Sequence, residues 1–174
     1  ISFSYIGIDI SKQQIIEAKK QYPSGTFTLA NMTDLPSPDQ AYDVVMLLAS
    51  FHHLSTTEDR AKTLAEAYRV LKPGGILFMT NWNLWQPRFA HHYWGNFKRS
   101  VAQKSYAFKD FMIPWKSPSG TVLAERYYYA FSKRELHTCC TTAGFTILQN
   151  DYTKGNKVAR IWDASNLVTI GQKQ

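Results

Sequence analysis

A chain of 174 residues with 44% apolar side chains has material for one hydrophobic core and too little for two. Its 20 Lys and Arg against 13 Asp and Glu give a net charge of +7, which turns it towards anionic partners. No apolar stretch approaches a membrane span, no signal peptide is visible, and the neighbouring Cys139 and Cys140 sit where geometry disfavours an ordinary bridge, so the expected compartment is a reducing cytoplasm.

In chain order, Phe3 to Asp9 reads as an apolar strand that ends in a carboxylate. Ser11 is a good N-cap for a helix running to about Tyr22, and Pro23-Ser-Gly25 ends it. Thr26 to Ala30 is a second strand, leading into the loop Asn31-Met-Thr-Asp-Leu-Pro36. Asp43 to Ala49 is a nearly continuous apolar run, the pattern of a central parallel strand covered on both faces. Ser55-Thr-Thr-Glu58 reads as a capping box, with Ala61, Leu64, Ala65, Tyr68 and Leu71 on one face of the helix that follows. Leu71-Lys-Pro-Gly-Gly75 halts that helix, and Ile76 to Asn81 is a fourth strand. After an aromatic, basic insert, Ser132 to Ala143 is another amphipathic helix with Gly144 as its C′ residue. Phe145 to Tyr152 and Asn166 to Gly171 close the sheet as an antiparallel pair. With no repeat and no low-complexity linker, this is a single α/β domain with right-handed crossovers and ligands at the carboxyl ends of its strands.

The candidate site residues fall at such ends. Asp9 is placed to accept hydrogen bonds from a ribose hydroxyl pair, or to cap the next helix together with Ser11. Asn31 and Met32 follow the second strand, where Asn31 is equally an ordinary turn residue. Leu48 and Ala49 end the third strand with the apolar character any buried strand needs. His52 and His53 are adjacent and lack accompanying Cys or Asp-x-His spacing, so no metal is expected.

The insert from Trp82 to Tyr129 holds most of the surplus charge. Between Asn81 and Arg126 lie Arg88, Lys98, Arg99, Lys104, Lys109, Lys116 and Arg126 against Asp110 and Glu125. They interleave with Trp82, Trp85, Phe89, Tyr93, Trp94, Phe97, Tyr106, Phe108, Phe111, Trp115 and Tyr127 to Tyr129. Such interleaving stacks bases and holds phosphates; the same aromatics also suit the core of a lid.

Three segments together, Tyr5-Ile-Gly-Ile-Asp9-Ile-Ser11, Tyr42-Asp-Val-Val-Met-Leu-Leu-Ala-Ser-Phe-His-His-Leu54 and Tyr68-Arg-Val-Leu-Lys-Pro-Gly-Gly75-Ile-Leu-Phe-Met79, resemble the class I S-adenosylmethionine-dependent methyltransferases, in particular the type 11 group, over nearly the whole chain. The resemblance implies a Rossmann-like α/β fold, mostly parallel with an antiparallel last strand, and S-adenosylmethionine as cofactor. It implies that Asp9 and Ile10 meet the ribose, Asn31 and Met32 the adenine, and Leu48 and Ala49 the cofactor through backbone and van der Waals surface. Asn31 stands where the family has Asp. The family's preceding strand and glycine-rich turn are absent, so residues 1–174 read as one N-terminally truncated methyltransferase domain with residues 82–129 as its lid and substrate-binding insert.

A narrower resemblance rests on Phe111-Met-Ile-Pro-Trp115, Glu125-Arg-Tyr-Tyr-Tyr-Ala-Phe131, Glu135-Leu136, Ala143-Gly144-Phe145 and Tyr152-Thr-Lys-Gly-Asn156. This order is similar to that of the tRNA wobble-uridine methyltransferases that esterify a carboxymethyl group, with Tyr129 in place of a histidine. It implies an acceptor site at Trp115, Arg126, Tyr127 and Tyr128, with Lys98 and Arg99 towards RNA. A carboxylate acceptor is ionised at neutral pH and needs no general base; Arg126 is suited to grip it, or else pairs with Glu125 or Glu135, while Tyr127 and Tyr128 flank it, and His53 matches a position common in type 11 enzymes, with a structural or a substrate-facing role. Rival readings are a type 11 enzyme acting on a small metabolite, quinone or lipid precursor, and a non-catalytic binding protein of the same fold. The expected partner is tRNA or a small-molecule acceptor, with no membrane, and the sequence identifies no activating subunit.

Overall fold

The structure is a computed structural model that describes residues 4–102, 108–117 and 119–174; the side chains of residues 98–102 and 116 lie outside that description. Strand β1 (Ile6–Asp9) passes through helix α1 (Lys12–Gln21) to β2 (Thr26–Leu29), and the two strands pair in parallel with Asp9 opposite Leu29. Ser11 caps α1 by accepting from the Gln14 N–H, the start that the sequence leads one to expect. Residues 31–41 then run to β3 (Tyr42–Leu48). Arg69 holds this connection by donating to the carbonyls of Leu35 and Ser37 and to Asp39.

A 3-10 turn at Phe51–His53 leads to helix α2 (Thr57–Val70), and α2 feeds directly into β4 (Leu71–Trp82). The expected Ser55 capping box is corrected by one residue. Thr56 is the extended N-cap, accepting from the Asp59 N–H at 3.0 Å and donating to the Asp59 carboxylate at 2.8 Å. That shift turns Arg60, Thr63, Leu64, Ala67 and Val70 inward and leaves Ala61 and Ala65 exposed. β4 begins earlier than expected: Leu71 already pairs with Tyr42, the Lys72–Gly75 stretch bulges, and regular pairing resumes from Val44 opposite Ile76 to Leu48 opposite Thr80.

Beyond β4 lie a 3-10 turn (Pro87–Phe89), helix α3 (Ala90–Ala102) and an antiparallel hairpin of β5 (Asp110–Lys116) and β6 (Val122–Tyr129). Helix α4 (Lys133–Thr142) starts in a complete capping box between Ser132 and Glu135. It ends before Gly144, whose φ of +98° is the left-handed turn that favours glycine. β7 (Phe145–Lys154), a short β8 (Lys157–Val158) and β9 (Asn166–Lys173) complete the chain.

The larger sheet has the order β3-β4-β9-β7-β8. β3 and β4 are parallel, and β9 runs antiparallel to both of its neighbours, β4 and β7. β3, β4 and β7 therefore share one direction, with β9 and the two-residue β8 reversed, the α/β arrangement expected. Leu47, Leu64, Ala67, Leu77, Met79, Leu136 and Leu167 fill the core between this sheet and α2 and α4. Each of the Leu and Met side chains contributes about 1.5–3 kcal/mol by leaving water. A second cluster, Leu84, Phe111, Tyr128 and Ala130, lies under the hairpin.

One expectation does not hold within these residues. β3 is not covered on both faces: Val45 and Leu47 face the core, while Val44, Met46 and Leu48 are 49–57% exposed. Among the described residues β4 is its one strand neighbour, and β1 likewise pairs with β2 alone. No described helix is long and apolar enough to cross a membrane.

Candidate functional site

Asp9 ends β1, and its Oδ1 accepts the Ser11 N–H at 2.7 Å. Both sequence readings of this residue are compatible with that geometry, because the capping bond engages one carboxylate oxygen. Ile10 beside it is 71% exposed. Asn31 follows β2 and turns on itself, its Oδ1 accepting from the Thr33 N–H at 3.1 Å and its carbonyl from the Asp34 N–H at 3.1 Å. The ordinary turn role of Asn31 is thus filled, and Met32 is half-buried beside it.

Ala49 departs from β3 with a φ of +50°, a left-handed conformation that a residue with a Cβ adopts at a cost of about 1–2 kcal/mol. Thr80 holds it there: the Ala49 N–H is 3.0 Å from both the Thr80 carbonyl and the Thr80 Oγ1. That N–H is therefore engaged within the protein, and Ala49 offers a ligand its carbonyl and methyl surface. Leu48, exposed beside it, offers its side chain.

Arg126, Tyr127, Tyr128 and Tyr129 are consecutive on β6, so their side chains alternate across the hairpin. The Arg126 guanidinium lies 4.2 Å over the Trp115 ring. Neither Glu125 nor Glu135 pairs with it: the Glu135 carboxylate meets Lys109 at 2.7 Å, the Ser132 N–H at 2.9 Å and the Tyr129 hydroxyl at 3.0 Å. Burial pushes the Tyr128 phenol above its ordinary pKa, and the neighbouring Arg126 charge opposes that rise. Among the described residues no carboxylate pairs with this half-buried cation, which lies beside an aromatic face and a phenol.

Tyr127 is differently occupied. Its hydroxyl donates to Asp110 and accepts from Arg60 Nη2 at 3.3 Å, and burial followed by the Asp110 hydrogen bond pushes its pKa upward. The expected flanking role is thus taken up inside the protein. His53 is similarly engaged: its Nδ1 lies 2.8 Å from the Tyr127 carbonyl, which fixes an Nδ1–H tautomer and ties the 3-10 turn to the hairpin. That bond fills the structural role at Nδ1 and leaves the substrate-facing reading to Nε2.

Lys109, expected among the RNA-facing cations, is paired with Glu135. The side chains of Lys98 and Arg99, and all of Lys104, lie outside the described residues. Among the described residues, no three His, Cys, Asp or Glu side chains group as a metal site.

In the sequence, Arg60 has no assigned role and His52 is considered only as a metal ligand. Arg60, 7% exposed, donates from Nε to the Leu54 carbonyl at 3.0 Å and lies 3.7 Å over the Tyr129 ring. It links α2 to β6, and its only sequence signal is a position on the inward face once the cap is set at Thr56. His52 is buried, its Nδ1 accepts the Trp82 N–H at 3.1 Å, and its pKa falls to about 3 through burial and then the His53 charge. Asn81 stands beside this ring and opposes the fall, yet neither Asn81 amide atom nor His52 Nε2 makes a well-formed hydrogen bond. His52 and Tyr128 stack at 5.2 Å, and Tyr128 and Trp82 at 5.0 Å, forming one aromatic column from the 3-10 turn to the end of β4.

Comparison with known proteins bears on the family and the fold. Residues 2–79 match the family model described as a methyltransferase domain, type 11. A protein of Encephalitozoon cuniculi that carries a methyltransferase name is 30% identical over 124 residues, covering 69% of this chain and 52% of that protein. A tRNA (carboxymethyluridine(34)-5-O)-methyltransferase of Schizosaccharomyces pombe is 25% identical over 150 residues, covering 76% of this chain and 61% of that one. The chain thus spans between half and two thirds of the length of these curated relatives. The crystal structure of a SAM-dependent methyltransferase from Methanosarcina mazei superposes with a TM-score of 0.78 at 22% identity, over 98% of this chain and 82% of that one.

Proposed function

Since residues 2–79 belong to the type 11 methyltransferase domain and the chain has the class I S-adenosylmethionine-dependent methyltransferase fold, we propose that the protein transfers a methyl group from S-adenosylmethionine to the carboxylate of a carboxymethyl-modified uridine in tRNA. The observation that carries this reading is Arg126: a half-buried cation with no carboxylate partner among the described residues, fixed over Trp115 and beside Tyr128. Similarity to a tRNA carboxymethyluridine methyltransferase supports the RNA acceptor.

The residues at the strand ends fit the cofactor. Asp9 has a second carboxylate oxygen for a ribose hydroxyl, and Ile10 and Leu48 are large apolar side chains left open where a ligand would cover them. Asn31 would meet the adenine through an amide without charge assistance, with Met32 beside it. When bound, S-adenosylmethionine supplies an activated sulfonium methyl. Arg126 receives the acceptor carboxylate in a bidentate grip, which orients one oxygen for in-line attack. Such orientation accounts for several kcal/mol of barrier, of the order seen in intramolecular reactions. No residue need remove a proton, because the acceptor is already an anion.

The open edges of β1 and β3, and the uncovered Val44, Met46 and Leu48, support a further parallel strand from a longer protein, carrying the glycine-rich turn. Residues 82–129 serve as the lid and acceptor-binding insert of this reading. The test is incubation of the full-length protein with methyl-labelled S-adenosylmethionine and either total tRNA or a small-molecule extract. Label in tRNA that is released by mild alkali, as a methyl ester is, is the expected result. Label confined to the small-molecule fraction overturns the RNA acceptor, and label in neither overturns the enzyme reading.

A further inference from the structure

Where β4 ends against the start of β9, a cleft of about 480 Å3 opens, within the range of about 300–1,000 Å3 usual for small-ligand sites. Trp82 and Asn166, opposite each other on the two strands, line one part of it, and Arg88, Phe89, His91 and His92 line another. No Asp or Glu lines the cleft.

Its chemistry has two parts. Tyr128 stacks on Trp82 with the rings inclined by 16°, yet the indole remains 40% exposed and faces the cleft as a lining residue. It prolongs the His52–Tyr128–Trp82 column and ends it with indole surface left part-exposed by the described residues. The second part is cationic and hydrogen-bonding. The Arg88 guanidinium is exposed, sits 4.7 Å over the Phe89 ring and has no ion-paired carboxylate among the described residues. The His91 and His92 rings lie 4.0 Å apart, and an imidazole carries at least one N–H donor whether neutral or protonated. An aromatic platform beside an arginine and two imidazole donors matches a planar base joined to a phosphate.

We propose that this cleft is a subsite for one nucleotide of single-stranded RNA, with its base on Trp82 and its phosphate on Arg88 and the histidine donors. The inference rests on the RNA reading of the acceptor and deepens it, since it names a second contact outside the Arg126 site. A paired base keeps both faces inside its duplex, so the subsite selects an unpaired nucleotide.

The test titrates fluorescently labelled hexauridylate into the protein over a range of salt concentrations, with total tRNA in parallel. Arg88→Gln is expected to weaken hexauridylate binding about tenfold and to make its log–log salt dependence shallower by about 0.7, the value for one single-strand phosphate contact. Trp82→Leu is expected to weaken binding about tenfold or more, and Trp82→Phe to recover most of that loss by restoring an aromatic face. An unchanged thermal midpoint in Arg88→Gln keeps its result independent of folding. If the parent binds hexauridylate and both Arg88→Gln and Trp82→Leu bind it with the same affinity and salt slope, the subsite is overturned while the RNA reading stands. Binding of tRNA without hexauridylate also overturns the subsite alone. If the parent binds neither RNA, both fall.

Discussion

The ends of β1, β2 and β3 and the β5–β6 hairpin differ in what their side chains already hold. At the strand ends, polar groups make short local bonds, Asp9 to Ser11 and Asn31 to Thr33, and large apolar neighbours stay exposed. In the hairpin, Tyr127, Tyr129, Arg60, Glu135 and Lys109 satisfy one another across three elements. Proximity to a site is thus a poor guide to a role in it. Tyr127 adjoins Arg126 in sequence but its hydroxyl is held within the protein, whereas Arg126 has no carboxylate partner among the described residues.

That contrast is most sharply tested at its two arginines. Arg126→Ala should reduce kcat/KM with a carboxylate acceptor by about a hundredfold or more, since a charge-assisted hydrogen bond is worth about 1.5–3 kcal/mol and a bidentate pair more. Its thermal midpoint should stay within about 2 °C of the parent. Arg60→Ala should do the reverse, lowering the midpoint by roughly 5–10 °C through loss of a buried cation that bridges Leu54, Tyr127 and Tyr129. Calorimetry and steady-state kinetics on both variants check the division. Equal stability losses would erase the difference between scaffold and receptor.

A smaller effect is expected at the other pole. Asp9→Ala should weaken S-adenosylmethionine binding roughly ten- to a hundredfold, since a hydrogen bond to a charged acceptor is worth about 1.5–3 kcal/mol. Asp9→Asn separates the two roles of the residue, because an amide oxygen still accepts the Ser11 N–H but carries no charge. Titration calorimetry on the full-length protein should place Asp9→Asn between the parent and Asp9→Ala. Unchanged affinity in both variants would remove Asp9 from the cofactor site.

Much of this was legible in the sequence where the determinant is local. Ser11, Ser132 with Glu135, and Gly144 mark their helix ends in the structure as they do in the chain, because caps and left-handed turns depend on a few neighbouring residues. The α2 cap was misread by one position because Ser55, Thr56 and Thr57 are all competent caps. What decides among them is which face buries Leu64 and Ala67, a tertiary matter. The exposed face of β3 was not legible either, since an apolar run looks the same whether or not a neighbour covers it. The occupied state of Tyr127 and His53 depends on contacts spanning 67 and 74 residues of chain, which no local pattern reports.

The aromatic column adds a pH-dependent term on the scaffold side. His52 has a folded-state pKa of about 3, below the ordinary value near 6.5, so the unfolded chain binds the proton more readily. Its contribution is complete above about pH 6.5 and is lost as pH falls from there towards 3, at up to about 1.4 kcal/mol per pH unit. Glu66 and Glu135, whose pKa values are held below the ordinary carboxylate range, also lose stability in acid at lower pH. The His52-specific part is therefore the difference between the parent and His52→Gln, which keeps an acceptor for the Trp82 N–H. Melting curves from pH 7.5 to 5 should show a midpoint falling by roughly 2–4 °C per unit in the parent at the acid end and falling less steeply in the variant, which keeps the loss from His92, whose pKa burial also lowers.

The smallest effect concerns Ala49, where the strand-end region does carry internal strain. A left-handed alanine costs about 1–2 kcal/mol, which glycine would relieve. Glycine also gives the unfolded chain more freedom, which offsets about 0.4–1 kcal/mol of that gain. Ala49→Gly should therefore stabilise by roughly 0.5–1 kcal/mol, a rise of about 1–4 °C in midpoint. If the backbone carbonyl at this position meets the cofactor, affinity should hold, because the residue 49 N–H still donates to two Thr80 oxygens, which fix the turn. A large loss of affinity in Ala49→Gly would assign the contact to the methyl group. A lowered midpoint would show that the strained turn is held by more than the Thr80 pair.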